Sequence, residues 1–467
     1  MTGDRLRTIT VGAFLLVSHV LLGNPASSRA QTVGTTPDTL YVSRTQVINQ
    51  ALARNEKLAA AEAMSDVAAA TATMAWRAFL PQIRINEFFL RSNDALMAFG
   101  YKLQSRTVSS ADFNPSRLNN PGETNQFITR LEANVPIFNG GSGLRGKQAA
   151  NAISRAARLH HRRAIETVRL QAVQAYEGLA LAENFIEVMR DAVASAEGHV
   201  RQARALADNG VATEADYLQA SVFRSSMQQR LIDATNLAAV AGENIKLLTA
   251  TDSYQTVATV VDTATGETTP AYDLSAAANR SDILARRAEV EAAGRLVGVA
   301  QGALLPHLNL SIQRDLYSPN NPLGNDSQSW SLGIYATWDI FGGMQNIGGV
   351  RKARAEHRAA RYMADFATRE ARVQATAAVL NHQAAGQRLA VAREAVLAAR
   401  ESLRIVTQQY REGLISMVNL LDTQAANTAA QGQLAQATHD YRIALAKLEF
   451  TGAVPTLHDS PLEDSGS

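Results

Sequence analysis

The sequence predicts a mainly α-helical protein with a small β part, built from one helix–strand–strand–helix–helix unit written twice. Three observations carry this reading. First, no proline falls between Pro136 and Pro270 or between Pro322 and Pro455, and proline-free, alanine-rich tracts of that length suit long helices. Second, "SWSLGIYATWDIFGG" (329–343) alternates Trp330, Leu332, Ile334, Ala336, Trp338 and Ile340 with Ser331, Gly333, Tyr335, Thr337 and Asp339. A period of two marks a strand with one oily and one polar face. Third, segments recur. "AFLPQIRI" (78–85) echoes "ALLPHLNL" (303–310), with Pro81 and Pro306 225 residues apart. "VPIFNGG" (135–141) echoes "WDIFGGM" (338–344), and "NGVATEADYLQA" (209–220) echoes "EGLISMVNLLDT" (412–423), both at an offset of 203.

Taken in order, the N-terminus reads as a signal peptide over 1–30: Arg5 and Arg7, the apolar run 9–23, then small residues at Ser28 and Ala30. After it comes no run of 18 apolar residues, so no helix is expected to span a bilayer. Cysteine is absent, which excludes disulfides, thiol chemistry and a lipidated N-terminal cysteine. The first repeat occupies 31–250 and the second 276–452. The linker 251–275 is polar and β-branched and is expected to wrap the helices as a collar. The tail 453–467 reads as disordered. The offset shrinks from 225 to 203, so the first copy carries 22 extra residues near 91–125; with Pro115, Pro121 and several Asn and Ser, this reads as a long outward loop.

Within each copy a long helix should follow the Gly-rich turn. Asn139 to Asn209, if mostly helical, spans about 105 Å. Val396, Ala399, Leu403, Val406 and Tyr410 form a 3-4-3-4 seam, repeated 203 residues earlier by Val193, Ala196, Val200, Ala203 and Ala207. Coiled-coil packing and an ordinary helical bundle share such a seam, so periodicity alone leaves both open. Strands are expected over 308–312, 127–135 and 330–340. The last would span about 36 Å, or about 25 Å in height if tilted as in a lipid-spanning β-barrel. Trp330 and Trp338 sit near its ends, where aromatic girdles belong. Four strands cannot close a barrel, and an open edge in lipid leaves backbone groups unsatisfied; other chains would have to supply the rest. A small soluble sheet packed on helices is the competing reading.

Net charge is +2, which gives no case for nucleic acid. No metalloprotease, calcium-loop, nucleophile-elbow or P-loop motif occurs. "GGSG" (140–143) lacks the Lys-Ser/Thr of a phosphate cradle. The nine histidines read as surface residues, and adjacent His160 and His161 face different sides of a helix and poorly share one metal. No catalytic residue, cofactor or metal is expected, so the protein is not read as an enzyme.

The doubled Pro-strand-loop-strand-Gly unit, with a doubled Gly-x-x-[Ser/Thr]-x-x-[Asp/Asn] element, resembles the outer-membrane efflux protein family typified by TolC, over roughly 40–452. The resemblance implies a homotrimer with a shared twelve-stranded outer-membrane β-barrel, continued by a periplasmic α-helical barrel. It implies a Gram-negative outer-membrane location, contact with outer-membrane lipid, and partnership with a periplasmic adaptor and an inner-membrane pump of the RND or ABC type, for efflux or type I secretion. Carried over by position, Gly210, Thr213, Gly413 and Ser416 would form the adaptor-docking tips. Asp422, Asn419, Tyr410 and Asp216 would form the pore gate, Trp330 and Trp338 the lipid-facing girdle. Asn419 stands where the family has a second acid and Ile415 where it has an arginine, which points to closure by packing. The alternative function is a periplasmic coiled-coil adaptor or structural protein without a pore; two hairpins and two strand pairs in register favour the duct.

Overall fold

A computed structural model describes residues 39–251, 256–260 and 271–454. The signal-peptide segment 1–30, most of the linker and most of the tail lie outside the described residues. In chain order the elements are β1 (Thr39–Val42), α1 (Arg44–Arg54), α2 (Glu56–Met74), β2 (Gln82–Ser92), α3 (Ala95–Gln104), α4 (Pro115–Asn119), β3 (Thr124–Asn139), α5 (Ser142–Asp208), α6 (Glu214–Thr249), β4 (Thr256–Thr259), α7 (Ser281–Gly302), β5 (His307–Ser318), β6 (Ser327–Thr337), α8 (Gln345–Arg411) and α9 (Met417–Thr451). The mainly helical, duplicated architecture is the one the sequence predicts.

The two copies match closely. α5 and α8 each run 67 residues, about 100 Å, and start and end 203 residues apart. Backbone register repeats the offsets too: Gln82 pairs with Asn134 as His307 pairs with Thr337. Both helices are alanine-rich on their buried faces, which lets neighbours approach closely. Ala152, Ala172, Ala196 and Ala203 of α5 are buried, as are Ala371, Ala375 and Ala378 of α8.

Four strands form one antiparallel sheet in the order β2-β3-β5-β6. Its register sorts the side chains cleanly. One face carries Ile83 and Ile85, Leu131 and Ala133, Leu310 and Ile312, and Leu332 and Ile334. The large apolar side chains of this face lie open in the single chain, Trp330 at 79 %. The opposite face is mainly polar. There Arg130 grips Asp315 with two parallel hydrogen bonds, 2.9 and 3.1 Å. Gln313 and Tyr317 also donate to that carboxylate, at 2.7 and 3.2 Å. A bidentate, fully partnered pair of this kind fixes cross-strand register.

Several expectations are corrected. β3 and β5 are longer than 127–135 and 308–312. β6 stops at Thr337 rather than Ile340, which leaves Trp338 one residue beyond the strand with its indole N–H donating to the Leu304 carbonyl at 3.1 Å. The strand ends where its ladder to β5 ends, because a strand needs a hydrogen-bonding neighbour to persist. The 91–125 segment is not an open loop. It folds into α3 and α4, capped by Asp94 and Asn114, and docks on the sheet's polar side, where Ser105 donates to the buried Gln126 at 2.9 Å and Ser327 donates to the Gln104 carbonyl. Lys102 and Ser109 hold the Asp112 carboxyl down near pH 2 in this excursion. The linker contributes β4, which pairs in parallel with β1; Val42 and Val257 enter a core with Val168, Ala172 and Tyr176. Beyond Thr451, Ala453 and Val454 are still buried, against Ala277 and Leu448, so the packed chain passes 452.

At the β3–α5 turn, Gly140 has φ +63, and a Cβ there would meet the Gly302 carbonyl oxygen at 2.2 Å. Its counterpart Gly343 has φ +60 but open surroundings. Gly140→Ala should therefore cost about 3 kcal/mol or more, from steric overlap on top of backbone strain, and Gly343→Ala only about 1–2 kcal/mol. Parallel thermal melts check this; equal losses would contradict it.

Candidate functional site: the paired helix tips

The helical hairpins α5–α6 and α8–α9 turn at the same motif. Gly210 and Gly413 have φ +70 and +73 with empty space around them. Each ends its helix through the same pair of backbone bonds: Val211 N–H to Leu206 and Gly210 N–H to Ala207, then Leu414 N–H to Gln409 and Gly413 N–H to Tyr410, all 2.9–3.0 Å. Glycine is used because the left-handed conformation costs it nothing. Three residues on, a hydroxyl starts the next helix. Thr213 accepts from the Asp216 amide at 3.2 Å, and the Asp216 carboxylate accepts in return from the Thr213 amide and hydroxyl at 3.0 and 2.8 Å, a complete capping box. In the second copy Ser416 accepts from the Asn419 amide at 3.5 Å, and no reciprocal side-chain bond is formed.

The hairpins meet in one apolar cluster just above these turns. Ala203 and Ala220 of the first pack with Tyr410, Met417, Leu420 and Leu421 of the second, and Ile415 leans on the cluster's edge. Tyr410 is buried with its hydroxyl unpartnered; burial, then the nearby Asp216 carboxylate, raises its pKa. Thus Tyr410 and Asp216 are brought together. Asn419 and Asp422 lie elsewhere, one turn apart on the exposed side of α9, where Ala425 and Ala429 continue the stripe and no ion pair among the described residues involves the Asp422 carboxylate.

Two residues escaped the sequence reading. His199 and His382 are buried, not on the surface. His199 sits in the seam between hairpins beside Gln424, its Nε2 unpartnered. His382 is held by the Tyr272 hydroxyl at 3.0 Å and lies against the Tyr441 ring. The available signal for His199 was its spacing, three residues after Ala196 and four before Ala203, one position short of Val200 on the seam.

The chain belongs to the outer membrane efflux protein family, whose model matches residues 47–251 and 274–451. Among its relatives is the outer membrane efflux protein BepC of Brucella suis biovar 1 (strain 1330), 27 % identical over 336 residues, which cover 69 % of this chain and 71 % of that protein. The fold matches the Campylobacter jejuni CmeC outer membrane channel with a TM-score of 0.78 at 19 % identity, over 89 % of this chain and 87 % of that one. It matches the open state of the Neisseria gonorrhoeae MtrE outer membrane channel with a TM-score of 0.71 at 17 % identity, over 88 % and 89 %. The protein is an outer-membrane exit duct of the tripartite-efflux type, sited in a Gram-negative outer membrane and extending into the periplasm; it is a passive transporter and not an enzyme. Members of the family work as trimeric channels with adaptor and pump partners.

Burial, the largest cause, lowers the pKa of both His199 and His382. Near the seam, Gln424 partly offsets this and Arg411 adds to it. Between the lowered values and about 6.5, the loosened chain binds protons the packed one refuses, so packing is most stable above about pH 6.5 and weakens as pH falls. Melting temperature should drop between pH 7.5 and 5.5. His199→Gln with His382→Gln should flatten the dependence; an unchanged slope in the double variant would refute the assignment.

Proposed function

We propose that three copies close one twelve-stranded barrel and that the duct is gated where its hairpins turn. One observation carries this reading: a four-stranded sheet with an exposed, mainly apolar face while both edge strands, β2 and β6, have a neighbour on only one side. Lipid suits that face, and symmetry can supply the missing edge partners. Trp330 and Trp338 then belong to the interfacial girdle, and the polar face, with Arg130 and Asp315, borders a water-filled lumen.

At the far end the turns at Gly210–Thr213 and Gly413–Ser416 present paired, rigidly capped tips to a periplasmic adaptor. An inner-membrane pump of the RND or ABC type, for efflux or type I secretion, would provide the energy. Asp422 and Asn419 face the aperture. Tyr410 and Asp216 sit behind it in the inter-hairpin contact. With Asn419 neutral and Ile415 packed on the apolar cluster, packing rather than a polar latch holds the closed state. One carboxylate per chain, Asp422, leaves three around a trimeric aperture.

Planar-bilayer recording tests this. Wild type should show a small, cation-preferring conductance, because a ring of carboxylates attracts cations into a low-dielectric aperture. Asp422→Ala should weaken the preference, and Tyr410→Ala should raise conductance by loosening the cluster. No conductance in any of the three would remove the pore reading.

A further inference from the structure

Arginines on the two faces of the sheet are partnered differently. On the polar face Arg130 is locked to Asp315 by two hydrogen bonds. On the apolar face the register sets Ile85, Leu131, Arg314 and Trp330 in one row across the four strands. Arg314 is the only charged side chain of that row. The next two rows toward the helices, Ile83 to Leu332 and Val135 to Ile334, carry no charge. Arg314 is exposed and donates to the side-chain oxygen of Gln328, one row further out. No ion pair among the described residues involves it.

A second guanidinium arrives from the excursion between β2 and β3. Arg106 closes α3 at φ +57, with the Thr107 amide donating to the Lys102 carbonyl at 2.9 Å. Glycine adopts this left-handed turn freely and a residue with a Cβ does not, so the position holds an arginine against its backbone preference. The Arg106 guanidinium donates to the main-chain oxygen of Gln328 at 3.4 Å, and it too has no ion pair among the described residues.

Two positive charges without a counter-charge therefore meet at Gln328, two residues from Trp330. The acids around them are engaged elsewhere. Glu87, in the same row as Gln328 but three strands away, about 14 Å, accepts from the Thr129 hydroxyl at 2.6 Å. Asp326 accepts from the Ser318 hydroxyl at 2.5 Å, and Glu123 pairs with Arg91.

Height decides what can neutralise them. The connections from Ser92 to Thr124 and from Ser318 to Ser327 lie at the end of the sheet away from α5 and α8. Those long helices extend into the periplasm, so this end is the outward one. Arg314 and Arg106 then stand where acyl chains give way to head groups. A bare guanidinium is costly beside acyl chains, and a phosphate is the anion its fork matches. We propose that Arg106 and Arg314 together bind a phosphate of lipid A, the phosphorylated glycolipid of the outer leaflet. This rests on the reading of the apolar face as lipid-facing.

Delipidated protein in a neutral detergent, titrated with bis-phosphorylated lipid A and followed by thermophoresis, tests the site. Binding should saturate, weaken with added salt, and be at least tenfold tighter than for dephosphorylated lipid A. Arg314→Gln with Arg106→Gln should lose tenfold or more, because two charge-assisted contacts go. Arg314→Lys with Arg106→Lys keeps the charges without the fork and should lose less; it also carries the test if the glutamine pair fails to fold. Lys352→Gln on α8 should change nothing. Equal affinity for the two lipids, or for wild type and the folded glutamine or lysine pairs alike, would overturn the phosphate site. Inorganic phosphate binding as tightly as the lipid would overturn the lipid assignment. Vesicles of brominated phosphatidylcholine report on the face itself, through fluorescence quenching that falls in Trp330→Phe. Such quenching without phosphate selectivity would overturn this inference alone; no quenching assignable to Trp330 would overturn the lipid-facing reading with it.

Discussion

Backbone hydrogen bonding at the edges of the four-stranded sheet constrains everything else in this molecule. In lipid an unpaired N–H or C=O costs several kcal/mol, and β2 and β6 each carry a row of them. A soluble protein would blunt such edges with charge, bulges or a covering loop. Here the only register shift in the sheet lies inside the β3–β5 ladder, between Pro136 and Phe138, and the edges stay straight. The exposed apolar face and the open edges are therefore two parts of one arrangement: lipid would cover the face, and in the ring of copies proposed above neighbouring strands would pair the edges.

Duplication makes that arrangement economical to encode. The same turn, the same 67-residue helix and the same glycine-capped hairpin occur twice, so the two units of the chain present similar surfaces. Departures from the repeat mark places with separate duties. Met344 takes a left-handed φ of 71° where the first copy has Gly141 at 76°. The extra segment of the first copy folds as α3 and α4 against the polar face of the sheet.

At the other end of the helices, chemistry is sparse. Asp216 is consumed by capping, Tyr410 by the apolar cluster, and Asp422 remains the acid on the open side of α9. Buried His199 links that cluster to pH, because a neutral imidazole fits between alanines where a charged one does not. The equatorial His382 ties the end of the linker to α8 through Tyr272 in the same way.

Periodicity and punctuation made much of this legible. Proline placement bounded the long helices, alternation exposed the two-faced strands, and the glycine–hydroxyl spacing located both tips, because each of these is a local demand of the backbone. Contacts distant in sequence were not legible. The parallel pairing of β1 with β4 joins two four-residue strands far apart in the chain, too short for any pattern. The burial of His199 and His382 depends on what lies across a helix seam. The folding of 91–125 back onto the sheet depends on Gln126 and Ser327 being there to meet it. Local sequence determined which elements form and how often, since hydrogen bonding and side-chain period act within a few residues. Tertiary structure decided which faces are covered and which stay open, since burial is a property of the neighbours and not of the segment itself.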